Sequence, residues 1–444
     1  MEIRSLIFSM TKGAAAAALE PQPATAAKHP PSFKMAAAMV IVLALTVVSM
    51  PSAHGQTYTV LYNFTGGLDG QAPGAGLTMD RSGNLYGTTY YGGTTTNGAA
   101  FKLTRTGNSF VFSSLHSFGG DNDGWNPDSK LTIGPDGSLY GTTNVGVPGT
   151  GWGGGGSGIV YQLTPLPPIC KNSLCSRSKT VWKESVSYQF LGFQDGGYPD
   201  SAPIFDDKGN MFGAVPGDIC CGVVYELTRS GGTWTKTNLY SFTGKSDGTA
   251  PTGGVIRDQA GNLYGVTYAG GANNGGVVYQ LVPSGSGWTE NVLRSFDTAI
   301  DGINPMGGLV FDQDGNLYGT TTDGGPLGGG TVFKLSRVGN TWTSTVIYSF
   351  QRTGRGPLPA ASLSFDTAGN LYGTTVYGGK SDLGTIFELI HGVNGWTPKL
   401  LKEFDLSDGG LPHSDVIFDA SGNLYGTTWK GGTNRLGVVW KITP

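Results

Sequence analysis

At 444 residues, with 28 Lys and Arg against 31 Asp and Glu, the chain has a net charge of −3 and lacks the basic excess that nucleic-acid binding needs. Glycine supplies 75 residues, charged side chains only 13% and aromatics 11%, a profile of tight turns between short strands that excludes a disordered chain. The glycines follow no three-residue period, which excludes collagen.

The first readable segment is an apolar run from Ala36 to Val48, preceded by Lys28 and Lys34 and followed by Ala53 and Gly55. It reads as a secretory signal peptide over residues 35–55, too short to span a bilayer comfortably. Residues 1–34, ahead of Met35, read as an over-long leader or a mis-assigned start. The mature part, residues 56–444, is then exported to the periplasm, the cell surface or the medium, with no transmembrane span. Removing residues 1–55 leaves 24 basic and 29 acidic residues, a mildly acidic balance that favours solubility.

Seven near-copies of one pentapeptide organise the rest: Gly83 to Gly87, Gly137 to Gly141, Gly209 to Gly213, Gly261 to Gly265, Gly315 to Gly319, Gly369 to Gly373 and Gly422 to Gly426, at intervals of 54, 72, 52, 54, 54 and 53. A period near 50 with several short strands per unit predicts a β-propeller rather than a helical solenoid. In the fifth unit, Gly308 to Asp312 predicts a first strand and Asn316 to Thr321 a second. Thr331 to Leu335 predicts a third and Thr341 to Phe350 a fourth. The first is the smallest and most apolar, so the order runs from the axis to a Trp-bearing rim. Tyr58 to Phe64 matches the fourth strand and Val438 to Ile442 the third. The expected fold is therefore all-β, a seven-bladed propeller of four-stranded blades whose N-terminal strand completes the last blade. Such a clasp leaves no open sheet edge.

The run Gly-Asn-Leu-Tyr-Gly-Thr-Thr, then Gly-Gly, then Gly-Thr-Val-Phe-Lys-Leu, as in Gly315 to Leu335, resembles the GloVer tandem repeat of exported bacterial "choice-of-anchor" proteins. The resemblance covers essentially residues 57–444 and implies export and repetition, without a catalytic residue to carry over. The Pro ahead of the first strand and the Asp-x-x-Gly-Asn turn also resemble NHL-type propeller repeats, which supports the fold alone.

In such a blade, the connection from fourth to first strand and that from second to third share one face. The first of these carries Asp-Gly-x-x-Pro at Asp69, Asp123, Asp195, Asp247, Asp301 and Asp408, with Arg355 taking the place in the sixth repeat. These carboxylates suit a ring at the channel mouth that binds sugar hydroxyls or calcium, although Asp before Gly is also ordinary turn chemistry. The same face carries Tyr90, Tyr91, Tyr268, Tyr377 and Trp429, joined by Trp125 and Tyr198, and exposed aromatics beside carboxylates suit carbohydrate stacking. The repeated Tyr of each pentapeptide reads as packing, and Asp80, Asp206, Asp258, Asp312, Asp366 and Asp419 as turn formers. The mature chain offers His116, His391 and His413 but no zinc spacing, so neither a metal site nor a cofactor is expected apart from calcium. There is no nucleophile elbow or phosphate loop.

The long second interval holds a Gly-rich loop from Gly149 to Ser157 and an insertion from Pro165 to Thr180. All four cysteines lie nearby, and export makes disulfides the default. The expected pairing is Cys170 with Cys175, leaving Cys220 and Cys221 as a vicinal pair or free thiols. The functional expectation is a non-enzymatic, exported binding or interaction propeller with a glycan, cell-surface polymer or protein ligand. A lyase or hydrolase using channel-mouth carboxylates, and a purely structural surface repeat, are the alternatives.

Overall fold

The structure is a computed structural model and describes residues 55–120, 123–146, 157–166, 170–171, 174–175, 180–217, 221–339 and 341–444. The leader and the signal segment up to residue 54, the Gly149 loop up to residue 156 and Cys220 lie outside the described residues.

Seven antiparallel sheets form the blades of a propeller. In blade 5, strands a to d are Val310–Phe311, Leu317–Thr321, Gly328–Val338 and Thr341–Gln351. They lie in that order across the sheet. Strand a is shorter than the sequence predicts because the glycines before it pack against the neighbouring blades. A Cβ on Gly308 would sit 2.5 Å from the Gly253 carbonyl oxygen of blade 4, and one on Gly307 would sit 2.5 Å from Ala361 of blade 6.

The ring closes through its two ends. Thr57–Asn63 pairs with Val438–Thr443, with Tyr58 opposite Ile442 and Val60 opposite Trp440. It is strand d of blade 7, whose other strands are Ile417–Phe418, Leu424–Thr428 and Val438–Thr443.

The pentapeptide explains both the turn and the interface between blades. In blade 5, Asp312 Oδ1 accepts the backbone N–H of Asp314 and of Asn316 at 3.0 and 2.9 Å. Its Oδ2 accepts from Asn316 Nδ2 at 2.7 Å and from the Tyr318 hydroxyl at 3.1 Å. The buried Tyr318 ring then meets Trp396 of blade 6 edge-on at 6.1 Å, so the repeated Tyr is packing. Gly319 has no side chain because the Phe333 ring lies 2.6 Å from where its Cβ would be. Phe296, at the end of strand d of blade 4, packs on that same ring at 5.0 Å. The first Thr after the pentapeptide donates across the next joint, Thr320 to the Ala361 carbonyl at 3.3 Å. The core is thus a set of inter-blade layers built from such contacts, with Phe212 in place of the Tyr in blade 3 and Ala214 and Val266 in place of the Thr in blades 3 and 4.

Cys170–Lys171 and Leu174–Cys175 form a two-stranded ladder with Cys170 opposite Cys175. Their side chains lie outside the described residues. Cys221 is disulfide-bonded, so the free-thiol alternative does not hold for it.

Candidate functional site

Each blade is entered through the segment after the Asp-Gly loop, where a Pro precedes strand a. This loop meets the b-to-c loop of its own blade, as the bridges Gln71 to Tyr91, Ile303 to Asp323 and Gly410 to Lys430 show. Both loop sets therefore lie on one face, as the strand order requires.

The Asp-Gly carboxylates are bound within their own turns and blade joints. Asp69 accepts from the Thr65 backbone and hydroxyl at 2.8 and 2.6 Å and from Tyr62 at 3.0 Å. Asp123 accepts two backbone N–H groups and touches His116 at 2.8 Å. Asp195 pairs with Tyr188 and Lys236, each at 2.8 Å. Asp247 takes Thr243 and Tyr240, and Asp301 takes Arg294 at 2.6 Å and Ser344 at 3.2 Å. Asp408 pairs with Lys402. A carboxylate that accepts N–H bonds from its own turn points back into it, so these six do not meet one another.

Three of the aromatics do meet. Tyr90 and Tyr91 of blade 1 stand edge-on at 4.6 Å, and Trp429 of blade 7 lies 5.3 Å from Tyr90 and 6.3 Å from Tyr91. His413 lies 5.6 Å from the same indole. Tyr377 instead receives the Arg355 guanidinium at 5.3 Å over its ring, which accounts for the one basic residue in the Asp-Gly series. Trp125 packs over Gly120, Tyr268 is exposed, and Tyr198 sits in a left-handed turn at φ 56°. None of these four makes a ring contact with the Trp429 group among the described residues.

The position after each Pro brings groups that inspection of the common repeat misses. It reads Gly74, Asp128, Asp200, Thr252, Met306, Ala360 and His413 around the ring, and two residues later Gly76, Lys130, Ala202, Gly254, Gly308, Ser362 and Asp415. In an extended segment these two positions share a side. In blade 1 both are glycine, and side chains of the flanking blades close over them. A Cβ at Gly74 would lie 2.6 Å from the Trp429 ring and 3.9 Å from Asp128 Oδ1; one at Gly76 would lie 1.9 Å from Asp415 Oδ1 and 3.5 Å from Lys130 Cδ. Asp415 of blade 7 thereby reaches Lys130 of blade 2 across blade 1, with Nζ to Oδ2 at 2.8 Å. Met79, Lys130, Ile133 and Ile417 border an open depression of about 380 Å³ along the inner strands.

Protein crowds this mouth although Asp128 and Asp200 keep some solvent-exposed surface, and that crowding sets its charge states. Burial, then repulsion from the Asp200 carboxylate, pushes the Asp128 carboxyl up to about 7. Burial pushes Asp200 up to about 7 as well. The Ser201 hydroxyl lies close enough to pull Asp200 slightly down, yet Asp200 Oδ1 makes no hydrogen bond. Crowding by the surrounding protein pushes His413 down to about 4, although its side chain keeps solvent-exposed surface. A carboxyl pair poised near neutrality beside three aromatic rings can donate or accept hydrogen bonds and can take a positive charge. Among the described residues no three His, Cys, Asp or Glu side chains converge as a metal site would need.

The model of the Gloeobacter/Verrucomicrobia repeat matches this sequence over residues 45–217, 175–352 and 289–444. The chain belongs to the Gloeobacter/Verrucomicrobia repeat family. No curated protein matches this repeat protein. Among solved structures it resembles a putative 6-phosphogluconolactonase from Bacteroides uniformis at 14% identity and a TM-score of 0.51, covering 79% of this chain and 88% of that one. It also resembles a fungal alcohol oxidase in complex with copper at 13% identity and a TM-score of 0.49, covering 87% and 76% of the two chains. At these identities the first likeness speaks for the propeller fold alone. No helix among the described residues is long and apolar enough to cross a membrane.

Proposed function

We propose that this repeat protein is an exported, non-enzymatic binding propeller that takes a glycan at the channel mouth over blades 7, 1, 2 and 3. The observation that carries this reading is the meeting of Trp429 with Tyr90 and Tyr91 beside Asp128, at the blade whose inner segment has lost both inward side chains. Aromatic faces pack against the apolar faces of sugar rings, and carboxyl groups bond their hydroxyls. Sites of this kind use a few convergent polar groups against an aromatic wall, and charge appears at the position after Pro in blades 2 and 3 alone.

One observation favours a second reading. Two carboxyl groups near pH 7 in one mouth are the equipment of a general acid and base, so a lyase or hydrolase acting on the same glycan is the rival. The test is a glycan-array screen and calorimetry on residues 56–444 with Trp429→Ala alongside, followed by analysis of each bound glycan for cleavage. Binding that Trp429→Ala abolishes, with the glycan recovered intact, supports the binding reading. Cleavage products support the rival, and binding indifferent to Trp429→Ala sinks both.

A further inference from the structure

We infer that the ligand of this mouth carries a free ammonium group, which sits against the Tyr90, Tyr91 and Trp429 rings and between the Asp128 and Asp200 carboxyls; in a glycan, that means a de-N-acetylated amino sugar. The inference rests on the glycan reading and names its chemical class.

Asp128 and Asp200 stand on neighbouring blades at the same position after Pro, and each repels a negative charge on the other. Among the described residues no unpaired cation stands against them. Lys130, two residues beyond Asp128, is paired with Asp415 at 2.8 Å, and His413 beside Trp429 is neutral. Tyr90 faces Asp128 and Tyr279 faces Asp200, and neither phenol supplies charge at neutral pH. The Asp200 Oδ1 atom, buried and without a hydrogen bond, is an acceptor that nothing among the described residues fills. Two like charges in one mouth favour a positive ligand over a neutral or negative one.

The rings point to the same chemistry. The face of an aromatic ring carries negative potential and attracts an ammonium group placed within about 6 Å of its centroid. Tyr91 is 43% exposed and Tyr90 and Trp429 are half-buried, so the three-ring group keeps surface open to a ligand. A neutral glycan would use the rings but leave the carboxyl pair uncompensated, and a uronate would add a third negative charge.

The test compares glucosamine oligosaccharides with N-acetylglucosamine oligosaccharides of equal length and with oligouronates, by calorimetry on residues 56–444. The free-amine oligomer should bind roughly ten-fold tighter than its acetylated form. That preference should grow as pH rises from about 5.5 to about 7, where the carboxyl pair ionises, and should weaken with salt. It should vanish in Asp128→Asn with Asp200→Asn, a variant whose melting curve shows that it folds. Equal affinity for the amine and acetyl forms, a preference for uronates, or an amine preference that survives the double substitution overturns the inference. If acetylated oligomers bind equally and Trp429→Ala still weakens them, the glycan reading stands while this one falls. If no saccharide of any kind binds, both fall.

Discussion

Gly76 faces the Asp415 carboxylate so closely that a Cβ at position 76 would fall 1.9 Å from Asp415 Oδ1. Its φ is not in the left-handed region, so alanine is acceptable to the backbone and only the contact forbids it. Gly76→Ala should push Asp415 away from Lys130 and destabilise the ring by about 1–3 kcal/mol, the usual range for overpacking. In an Asp415→Ala background the same substitution should be nearly harmless. A double-mutant cycle from chemical denaturation measures this directly, and additive effects would show that the two residues are not coupled.

The turn carboxylates predict acid lability. Asp80, Asp312 and Asp419 are held below the usual carboxylate range, where hydrogen bonds from the turn Asn, the turn backbone and the repeated Tyr outweigh the opposing effect of burial. A group whose folded pKa lies below its unfolded value of 3.8 contributes stability above that pH and loses it as pH falls through the folded value. The melting temperature should therefore drop steeply below about pH 4, and Asp312→Asn should blunt that drop. Asp312→Ala strands the Asn316 and Tyr318 donors and should cost about 1–3 kcal/mol at neutral pH.

Two blade joints predict the opposite slope. Glu184 faces His116 and Asp123, Glu290 faces Asp247, and in each the Oε1 atom has no hydrogen bond. Burial pushes each carboxyl up to about 7 from 4.5. The folded state then binds a proton that the unfolded chain has released, so the contribution of each group is full below pH 4.5 and declines as pH rises to about 7. Glu290→Gln should flatten this decline in a series of melts between those limits. An unchanged slope would show that Glu290 is ionised in the fold.

The fold was legible because seven registers of one pattern each repeat the same turn, the same bare glycine and the same permuted ends. The site was legible only in part. Tyr90, Tyr91 and Trp429 announce themselves as aromatics in glycine loops, and the clasp makes blades 7 and 1 neighbours, which brings them together. The recurring Asp-Gly carboxylates spend oxygens on their own turns and blade joints, a role that the Asp-Gly spacing allows but does not decide. Asp128 and Asp200 share one position in two blades and Asp415 stands in one, and only aligning the repeats on Pro shows that charge breaks the pattern there. The reach of Asp415 across blade 1 depends on Gly74 and Gly76, whose importance lies in atoms they lack.

The clasp itself gives the last prediction. Tyr58 packs between Phe404 at 6.0 Å and Trp440 at 6.3 Å, and its hydroxyl donates to the Asp408 carbonyl at 2.8 Å. Lys402 adds its ammonium 5.0 Å above the ring. Tyr58→Ala removes these contacts together and should cost about 3 kcal/mol, as aromatic truncations in packed surroundings do. Deleting residues 57–63 goes further, because Val438–Thr443 then loses its partner and presents an unpaired edge. An open, apolar edge recruits other chains, so the truncated protein should form concentration-dependent oligomers in light scattering while the Tyr58→Ala variant stays monodisperse. A truncated chain that remained as stable and as monodisperse as the intact one would show that the N-terminal strand does not close the ring.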